Sequence, residues 1–374
     1  MHKDRKGAFI YMSKYYFTSE SVTSGHPDKI CDLIADSILD EALRQDPNSH
    51  MAVEATIKDD LILIYGEAGT KAVIPYEQIA LDVMKKIGYP EEYHVIVKVN
   101  RQSPEINQAV AGKELSAGDQ GIMFGYACDE TPSYMPFAID CAHRLAERLE
   151  EVRRSDDRLR PDGKTQVTAQ YRDGVLKRVD TIVVSTCHSE NITQEELRDL
   201  IIKKVILPVV PEKYIDEDTK YLINPSGSFT IGGSWGDSGT TGRKIVVDSY
   251  GGYAPIGGGC FSSKDPTKVD RSAAYYARYV CRNLVANGIC RKCQIQVSYA
   301  IGRPEPTSVY VQSFGTSRFT DSELKKIVRK NFDFLVSNII DELDLKRPIY
   351  AQTTNYGHFG KKDLPWEQFK KIEL

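Results

Sequence analysis

The chain has 374 residues, of which 27% are charged and 41% hydrophobic, so it is long enough for two or three globular domains with cores of their own. Its formal net charge is −3, which excludes the strongly basic surface that attracts nucleic acid or anionic lipid. No apolar run is long enough to cross a bilayer, so we expect no membrane partner. The residues before Met12 are basic but lack the apolar core of a secretion signal, and either Met1 or Met12 is the natural start.

The first third of the chain predicts a helix, a hairpin, a second helix and a further strand. Its first helix should run from Pro27 to about Arg44, because apolar residues recur there at helical spacing. The strands MAVEATIK and LILIYGE follow, joined by Asp59-Asp60. A helix with the sequence YEQIALDVMKKIG then ends at Gly88, and HVIVKV is the further strand.

The middle third repeats this order. A helix is expected over about Tyr134–Arg153, and the strands KTQVTAQY and RVDTIVVSTC then flank a turn at residues 172–174. The next helix opens with the capping box Thr193-x-x-Glu196.

The last third repeats it again. A helix from Asp270 to near Gly288 precedes the strands CQIQVSYAI and TSVYVQSF, and a further helix opens with Thr320-x-x-Glu323. The pattern predicts an α+β fold class, with three similar domains whose helices pack on one face of mixed sheets. On pattern alone, three unrelated α+β pieces remain the alternative.

Cysteine usage indicates a reducing compartment. The eight cysteines are scattered through predicted helices and strands, which favours the cytoplasm over a disulfide framework. Cys290-x-x-Cys293 has the spacing of half a zinc site, but no second pair lies at finger-like spacing, so we expect no zinc there.

The stretch SGHPDKICD places several ionisable residues at the entrance of the first helix. Pro27 suits the first helical turn, so His26 lies at the cap, where free N–H groups and the helix dipole favour an anion. Asp28 begins a series of aspartates that recurs every fourth residue to Asp40. For Asp36 and Asp40 we expect a solvated acidic stripe, whereas Asp28 is equally consistent with a Mg²⁺ ligand or with simple dipole compensation.

A second stretch runs from Gly232 to Lys244 and combines five glycines with Asp237 and Arg243. It is not a P-loop, because Gly-Arg-Lys is expected to lead into a strand, IVVDSY, rather than a helix. The alternatives are a structural glycine hairpin and a phosphate-binding loop, and the paired cations favour phosphate.

Three further stretches give weaker signals. Gly257-Gly258-Gly259 precedes Lys264, Lys268 and Asp270 at a helix start, where Asp270 also fits a plain N-cap. Asp162-Gly-Lys164 puts a lysine at the beginning of a strand. The polar loop at residues 101–121 has the composition either of a mobile active-site loop or of a solvated connection.

Together, eight stretches resemble the S-adenosylmethionine synthetase (methionine adenosyltransferase) family: SESVTSGHPDKICD, QSPEINQAV, GDQGIMFGYA, INPSG, GDSGTTGRKIVVDSYGG, KDPTKVDRSAAY, QVSYAIG and YGHFG. The resemblance runs from about Tyr16 to Glu367, and its motifs are long, ordered and specific. It implies three similar α+β domains related by a pseudo-threefold, here residues 14–112, 113–226 and 227–367.

The resemblance implies a two-step reaction on ATP and L-methionine. The methionine sulfur displaces tripolyphosphate from C5′ of ATP, and the tripolyphosphate is then hydrolysed to phosphate and diphosphate. A neutral thioether needs no general base, so the demand lies in the charge that gathers on the leaving group, which fixed cations stabilise. The family uses two Mg²⁺ per site and K⁺, and it forms homodimers with sites at the interface, often paired into homotetramers.

The resemblance also implies roles for individual residues. The catalytic residues are His26, which steadies the departing oxygen, Asp119, which favours the developing sulfonium, and the cations Lys164, Arg243 and Lys244. The ATP-binding residues are His26, Asp162, Gly163, Lys164, Ser228, Phe229, Asp237, Arg243, Lys244, Cys260 and Lys264. The methionine-binding residues are Glu67, Gln102, Asp119, Asp237 and Lys268. The metal ligands are Asp28 and Asp270 for Mg²⁺ and Glu54 for K⁺, and residues 102–115 form the flap over the reactants.

The chain departs from the family pattern around the expected ATP pocket. The pattern has Arg, Pro, His, Ala and Gly where this chain has Ser228, Ser234, Ile256, Cys260 and Ser263. Losing one arginine removes one charge-assisted hydrogen bond to the nucleotide, worth about 1.5–3 kcal/mol. The alternatives are therefore another ATP enzyme such as a kinase, for which no acceptor-activating base stands out, and a catalytically silent homologue, against which the retained catalytic residues argue.

Overall fold

The structure, a computed structural model, describes residues 13–101 and 115–374 together with the backbone of two short paired strands, β1 (His2–Lys3) and β2 (Phe9–Ile10). The helices are α1 (Pro27–Gln45), α2 (Tyr76–Ile87), α3 (Phe137–Arg153), α4 (Gln194–Ile201), α5 (Leu207–Val209), α6 (Gly233–Gly236), α7 (Ile245–Asp248), α8 (Val269–Ala286), α9 (Asp321–Asn331) and α10 (Val336–Glu342). A single turn of π-helix occupies Ile202–Ile206. Single turns of 3₁₀-helix occupy Glu212–Tyr214, Ala351–Thr353 and Pro365–Glu367. Within the described ranges, every helix is too short or too polar to cross a membrane.

The remaining strands form three sheets, each built on an antiparallel hairpin. They are β3 (Lys14–Val22), β4 (His50–Lys58), β5 (Leu61–Gly69), β6 (His94–Arg101), β7 (Gly121–Cys128), β8 (Leu159–Arg172), β9 (Val175–His188), β10 (Lys220–Ile223), β11 (Gly239–Thr240), β12 (Lys292–Tyr299) and β13 (Ser308–Gln312). The strand orders are β11–β4–β5–β6, β10–β9–β8–β3 and β13–β12–β7. Because β6 is parallel to β5 and β10 is parallel to β9, the first two sheets are mixed, and the predicted α+β fold is confirmed.

Each sheet takes one strand from a different third of the chain. The first third supplies β3 to the second sheet, where it pairs with β8, and the middle third supplies β7 to the third sheet, beside β12. The last third supplies β11 to the first sheet, beside β4. Each third of the chain thus completes a sheet that another third builds, in cyclic order. The limits of 14–112, 113–226 and 227–367 remain predictions, because two segments share every sheet.

One long helix packs on each sheet. Helix α1 lies on β4 and β11, α3 on β8 and β3, and α8 on β7 and β12. The first and third sheets share one hydrophobic core, to which Ile34 and Ile295 both belong, whereas the second sheet has its own around Val167. The opposite face of the first sheet is open, and Leu61 and Ile96 are 42% and 45% exposed there.

Local signals predicted the helix limits well. Helix α1 begins at Pro27, α2 ends against Gly88 in the left-handed conformation (φ +105°), and α3 ends at Arg153. Both predicted capping boxes, at the starts of α4 and α9, are present. Several limits differ by three or more residues: α3 begins at Phe137 rather than Tyr134, β8 at Leu159 rather than Lys164, and β9 at Val175 rather than Arg178.

The strand predicted for IVVDSY was wrong. The segment forms α7 and a turn, in which the Asp248 N–H donates to the Lys244 carbonyl at 2.8 Å. The Asp248 carboxylate accepts a hydrogen bond from Lys29 Nζ of α1 at 2.6 Å. Because this buried contact holds the segment against α1, the strand preference of its β-branched residues is overridden.

The solvated stripe predicted for Asp36 and Asp40 was also wrong, because both side chains are buried. Both oxygens of Asp36 accept hydrogen bonds from the Arg271 guanidinium at 2.7 Å. The Asp40 carboxylate accepts the N–H groups of Tyr350 and Ala351 at 2.8 and 2.9 Å. The partners lie more than 200 residues away in sequence, so spacing along α1 alone did not reveal them.

Candidate active site

His26 caps α1 and presents a neutral imidazole. Its Nδ1 accepts a hydrogen bond from the Asp28 N–H at 3.2 Å. The ring is buried, and this burial, followed by the positive charge of Lys244, lowers the His26 pKa to about 3. Since the neutral ring uses Nδ1 as acceptor, its proton lies on Nε2, which can donate to a ligand.

Asp28, two residues further on, joins α1 to the cationic loop before α7. Its Oδ1 accepts the Thr240 N–H at 3.0 Å, and its Oδ2 accepts a hydrogen bond from Lys244 Nζ at 2.6 Å. Arg243 Nε lies 3.6 Å from Oδ1. Burial raises the pKa of Asp28, but the hydrogen bonds from Lys244 and Thr240 outweigh it and the net shift is downward, so the carboxylate is ionised.

Strand β8 brings Asp162 and Lys164 to the same place. Asp162 is buried and accepts the Gly233 N–H at 2.8 Å, and burial raises its pKa to about 6 against the opposing effect of this bond and of Lys164. Lys164 and Asp237 are exposed, and their charges act on both Asp162 and His26. We therefore group His26, Asp28, Lys164, Arg243 and Lys244 as the α1 cluster, with Asp162 and Asp237 at its edge.

A second group, the Lys264 cluster, consists of Asp119, Lys264 and Asp270 at the start of α8. Lys264 Nζ donates to the Gly258 carbonyl at 2.9 Å and to Asp270 Oδ2 at 2.5 Å. Gly258 has φ +76°, and a Cβ there would lie 2.6 Å from Asp270 Oδ1, so only glycine allows this close approach. Burial raises the pKa of Asp270, and the negative charge of Asp119 acts in the same direction.

Cys260 connects the two clusters. A Cβ on Gly242 would lie 2.5 Å from the Cys260 Cβ, so the loop before α7 packs directly on the loop that carries Lys264. The charges of Lys264, Asp32 and Glu54 all act on the Cys260 thiol, whose pKa is raised mainly by burial. Glu54 accepts a long hydrogen bond, 3.4 Å, from the Tyr65 hydroxyl.

The other predicted site residues lie outside these clusters. Glu67 is exposed on β5, opposite Ala52 of β4. The Lys268 ammonium pairs with Asp265, whose Oδ2 also accepts the Met51 N–H at 2.7 Å.

The nucleotide positions differ in their surroundings. Ser228 is exposed, whereas Phe229 pairs with His188, the N–H of Phe229 donating to His188 Nε2 at 3.2 Å. Gly163 lies inside β8, where its carbonyl accepts the Thr23 N–H at 2.9 Å. Gln102 and nearly all of the predicted flap lie outside the described residues.

Models of known protein families match nearly the whole chain. Models of the N-terminal, central and C-terminal domains of S-adenosylmethionine synthetase match residues 14–110, 114–229 and 231–368 in turn. The chain belongs to the S-adenosylmethionine synthetase family.

Similar proteins are named S-adenosylmethionine synthase, and the similarity extends over nearly their whole length. The chain is 50% identical over 380 aligned residues to the S-adenosylmethionine synthase of Brachyspira hyodysenteriae, covering 96% of each chain. It is 49% identical to that of Desulfosudis oleivorans and 48% identical to that of Clostridium tetani, covering 96% of this chain and 97% of each relative. The family predicted from the sequence motifs is thus confirmed, with its use of ATP and metal ions.

Two departures from the S-adenosylmethionine synthetase pattern occupy constrained places. Ser263 stands where the pattern has glycine and has φ +79°, the left-handed conformation that disfavours a side chain, while its N–H donates to Asp36 at 3.2 Å. Ser234 stands where the pattern has proline, and its side chain is fully buried. Ser234 lies three residues before Asp237, and Ser263 directly precedes Lys264, so both are close in sequence to candidate site residues.

Sequence reasoning assigned no role to Lys29, Asp32 and Asp248, which lie together beside the candidate site. Lys29 is fully buried between Asp32 and Asp248, at 2.9 and 2.6 Å from their carboxylates. The spacing of Lys29 and Asp32 on one helix was visible, but the contact with Asp248 was hidden because IVVDSY was expected to be a strand.

Proposed function

We propose that the α1 cluster holds the polyphosphate of ATP while methionine attacks C5′. Family membership makes the chain a methionine adenosyltransferase, which converts ATP, L-methionine and water into S-adenosyl-L-methionine, phosphate and diphosphate. The observation that carries the assignment is the geometry of His26, Asp28 and Lys244, with Arg243 3.6 Å from the Asp28 carboxylate. A neutral donor and two cations thus converge at the positive end of a helix.

The chemistry demands such a site. A sulfur lone pair forms the bond to C5′ as the C5′–O5′ bond breaks, and the bonding pair leaves with the tripolyphosphate. Charge on the leaving group grows in the transition state, so fixed cations there lower the barrier more than they tighten ATP binding. We assign Lys164, Arg243, Lys244 and Lys264 to this charge, and the His26 Nε2–H to the departing oxygen.

The proposed Mg²⁺ ligands are Asp28 and Asp270. Among the residues that the structure describes, no three His, Cys, Asp or Glu side chains converge on one metal position. One carboxylate per ion still fits Mg²⁺, which usually completes its shell with substrate phosphates and water. Two such ions would neutralise part of the polyphosphate charge. Glu54 is the proposed K⁺ ligand, and its single long hydrogen bond leaves it oxygen lone pairs for a cation.

The substrate-binding roles are assigned in the same way. Methionine would contact Glu67, Gln102, Asp119, Asp237 and Lys268. The sulfonium would form near Asp119, an exposed carboxylate beside Asp270. ATP would contact the α1 cluster and Lys264, together with Asp162, Gly163, Ser228, Phe229, Asp237 and Cys260.

We infer that two copies pair through the open sheet faces and that the dimers form a tetramer. Leu61 and Ile96 are exposed on the face of the first sheet that also carries Glu54 and Glu67. Pairing would bury this apolar surface and enclose the carboxylates. We also infer a cytoplasmic location, which is supported by eight free cysteines, seven of them buried.

A product assay tests the proposal. Incubation with ATP, methionine, Mg²⁺ and K⁺ should give S-adenosylmethionine with phosphate and diphosphate, and omission of either cation should slow the reaction.

Lys164→Met should lower kcat at least about 100-fold, because it removes a charge that faces the leaving group. Lys177→Met, on the neighbouring strand β9, is the matched control and should retain activity. Formation of ADP would instead indicate a kinase, and equal activity of the two variants would remove Lys164 from the mechanism. Sedimentation equilibrium of the same sample should give a multiple of the 42.0 kDa chain mass.

A further inference from the structure

A buried ion triad joins α1 to α7. Lys29, in the first turn of α1, is 1% exposed, and its Nζ lies 2.6 Å from Asp248 Oδ1 and 2.9 Å from Asp32 Oδ2. Asp248 is the last residue of α7, and both carboxylates are buried as fully as the lysine. One ammonium and two carboxyl groups are thus enclosed where an apolar contact would also fill the space.

The same triad also fixes the chain ahead of α7. Asp32 Oδ1 accepts the Gly242 N–H at 2.8 Å, while its Oδ2 faces Lys29. Gly242 has φ +81°, and Cys260 occupies the space that a side chain there would need. The backbone is therefore held at Gly242 by Asp32 and at Asp248 by Lys29, and both anchors belong to one turn of α1.

Arg243 and Lys244 lie between these two anchors. Arg243 is exposed and Lys244 half-buried, and in the described part of the chain both lie against the Asp28 carboxylate. Their positions therefore depend on this contact and on the backbone that carries them. Any shift of Gly242 or of α7 against α1 would move both cations relative to His26, which caps the same helix.

We propose that Lys29, Asp32 and Asp248 form a clamp that positions Arg243 and Lys244 against His26 for catalysis. The inference rests on the proposed function of the α1 cluster. The three residues are positioning residues, because they act through the backbone of the loop and do not touch the substrate. Their charges specify one arrangement of α7 on α1, which a purely apolar contact would leave free to slide.

Charge balance shows which substitutions the triad tolerates. It holds two carboxylates and one ammonium, so loss of Asp32 leaves a neutral Lys29–Asp248 pair rather than an isolated buried charge. Asp32→Ala therefore removes the Gly242 anchor while keeping a balanced core. Asp32→Asn restores a carbonyl oxygen that can accept the Gly242 N–H. Asp40→Ala is the matched control, since Asp40 is a buried carboxylate of α1 that accepts two backbone N–H groups far from the cationic loop.

The experiment measures kcat, the KM for methionine, the Kd for inorganic tripolyphosphate and the unfolding temperature of these three variants and the wild type. Asp32→Ala should lower kcat about 10- to 100-fold, because displaced catalytic groups cost that much in rate. It should weaken tripolyphosphate binding about tenfold and change the methionine KM less than about threefold, since all the proposed methionine contacts except Asp237 lie outside this loop. Asp32→Asn should recover most of both losses. Asp40→Ala should unfold at a lower temperature with normal kcat and tripolyphosphate Kd.

The clamp is rejected if Asp32→Ala and Asp40→Ala lose kcat equally, or if Asp32→Ala only lowers the unfolding temperature. If Asp32→Ala is insoluble, Asp248→Ala cuts the other anchor and leaves a neutral Lys29–Asp32 pair, with the same expected losses. A wild type that binds tripolyphosphate but makes no S-adenosylmethionine refutes the proposed function while the Kd series still decides on the clamp. A wild type that does neither refutes both.

Discussion

His26 illustrates how one buried residue obtains its role from its neighbours. Burial and the nearby Lys244 lower its pKa to about 3, and the Asp28 N–H occupies Nδ1, so the neutral ring carries its proton on Nε2. A protonated imidazole would bind polyphosphate more strongly in the ground state as well, whereas a neutral donor close to the departing oxygen gains most as charge develops there. This supports the proposed role of His26 as a neutral donor to the leaving group.

Asp40 is a residue whose ionisation opposes folding. Burial raises the pKa of this carboxyl from 3.8 to about 6, even though two backbone N–H groups stabilise the charged form. Because the folded-state pKa is the higher one, the contribution of Asp40 to stability is complete below about pH 3.8 and is lost as the pH rises through about 6. A shift of about two pK units corresponds to about 3 kcal/mol.

We therefore predict that the destabilisation caused by Asp40→Ala shrinks as the pH rises. Between pH 4 and pH 7 it should fall by up to about 3 kcal/mol, because only the wild type has to ionise a buried carboxyl. Urea denaturation of both proteins across this range measures the difference. The exposed Asp218→Ala is the control and should show no such trend. A destabilisation that stays constant or grows with pH would contradict the assignment.

At the scale of elements, α1 organises the site through a ladder of carboxylates. Asp28, Asp32, Asp36 and Asp40 accept backbone N–H groups from the segments at Thr240, Gly242, Ser263 and Tyr350 in turn. One helix face therefore fixes both cationic loops and the C-terminal segment. The spacing of four residues was interpreted as a solvated stripe. It instead matches the positions along α1 at which these segments cross the helix.

We predict that the Asp36–Arg271 pair, which joins α1 to α8, is a major contribution to stability. Both side chains are fully buried, so Asp36→Ala leaves an unpaired guanidinium in the core and should cost about 3–5 kcal/mol. The control is Asp129→Ala, which breaks a pair with Arg291 whose side chains are 41% and 69% exposed, and should cost less than about 1 kcal/mol. Chemical denaturation at one pH compares the two. Equal costs would show that Arg271 finds another partner.

How far the sequence predicts each element depends on how far away its partners lie. Local signals of a few adjacent residues specify the His26–Pro27 cap, the end of α2 at Gly88 and the two capping boxes. All of these were predicted. The burial of Asp36 and the helix at Ile245–Asp248 depend on contacts more than 200 residues distant and were missed. The site was identified because its motifs match a family, which local periodicity alone does not provide.

At the scale of the whole molecule, the cyclic strand exchange ties the three units together. Each sheet is completed by a strand from another third of the chain: β3, β7 or β11. Separating any one unit would expose a strand edge in its own sheet and remove a strand from another. Two of these strands adjoin candidate site residues, since β11 ends three residues before Arg243 and β7 begins two residues after Asp119.

We predict that the units unfold together although the hydrophobic core is divided in two. Chains of this size often unfold in stages, so a single transition would be a specific consequence of the exchanged strands.

Trp366 is buried against Tyr275 in the shared core of the first and third sheets, whereas Tyr214 packs on Phe137 beside the core of the second. Trp235→Phe leaves Trp366 as the fluorescent reporter of the former core. Adding Trp366→Phe and Tyr214→Trp moves the reporter to the latter. In each variant the fluorescence midpoint in urea should coincide with the far-ultraviolet circular dichroism midpoint, within the ~10% precision of such fits. Two separate midpoints in either variant would show that the second sheet unfolds independently and that the exchanged strands do not couple the units.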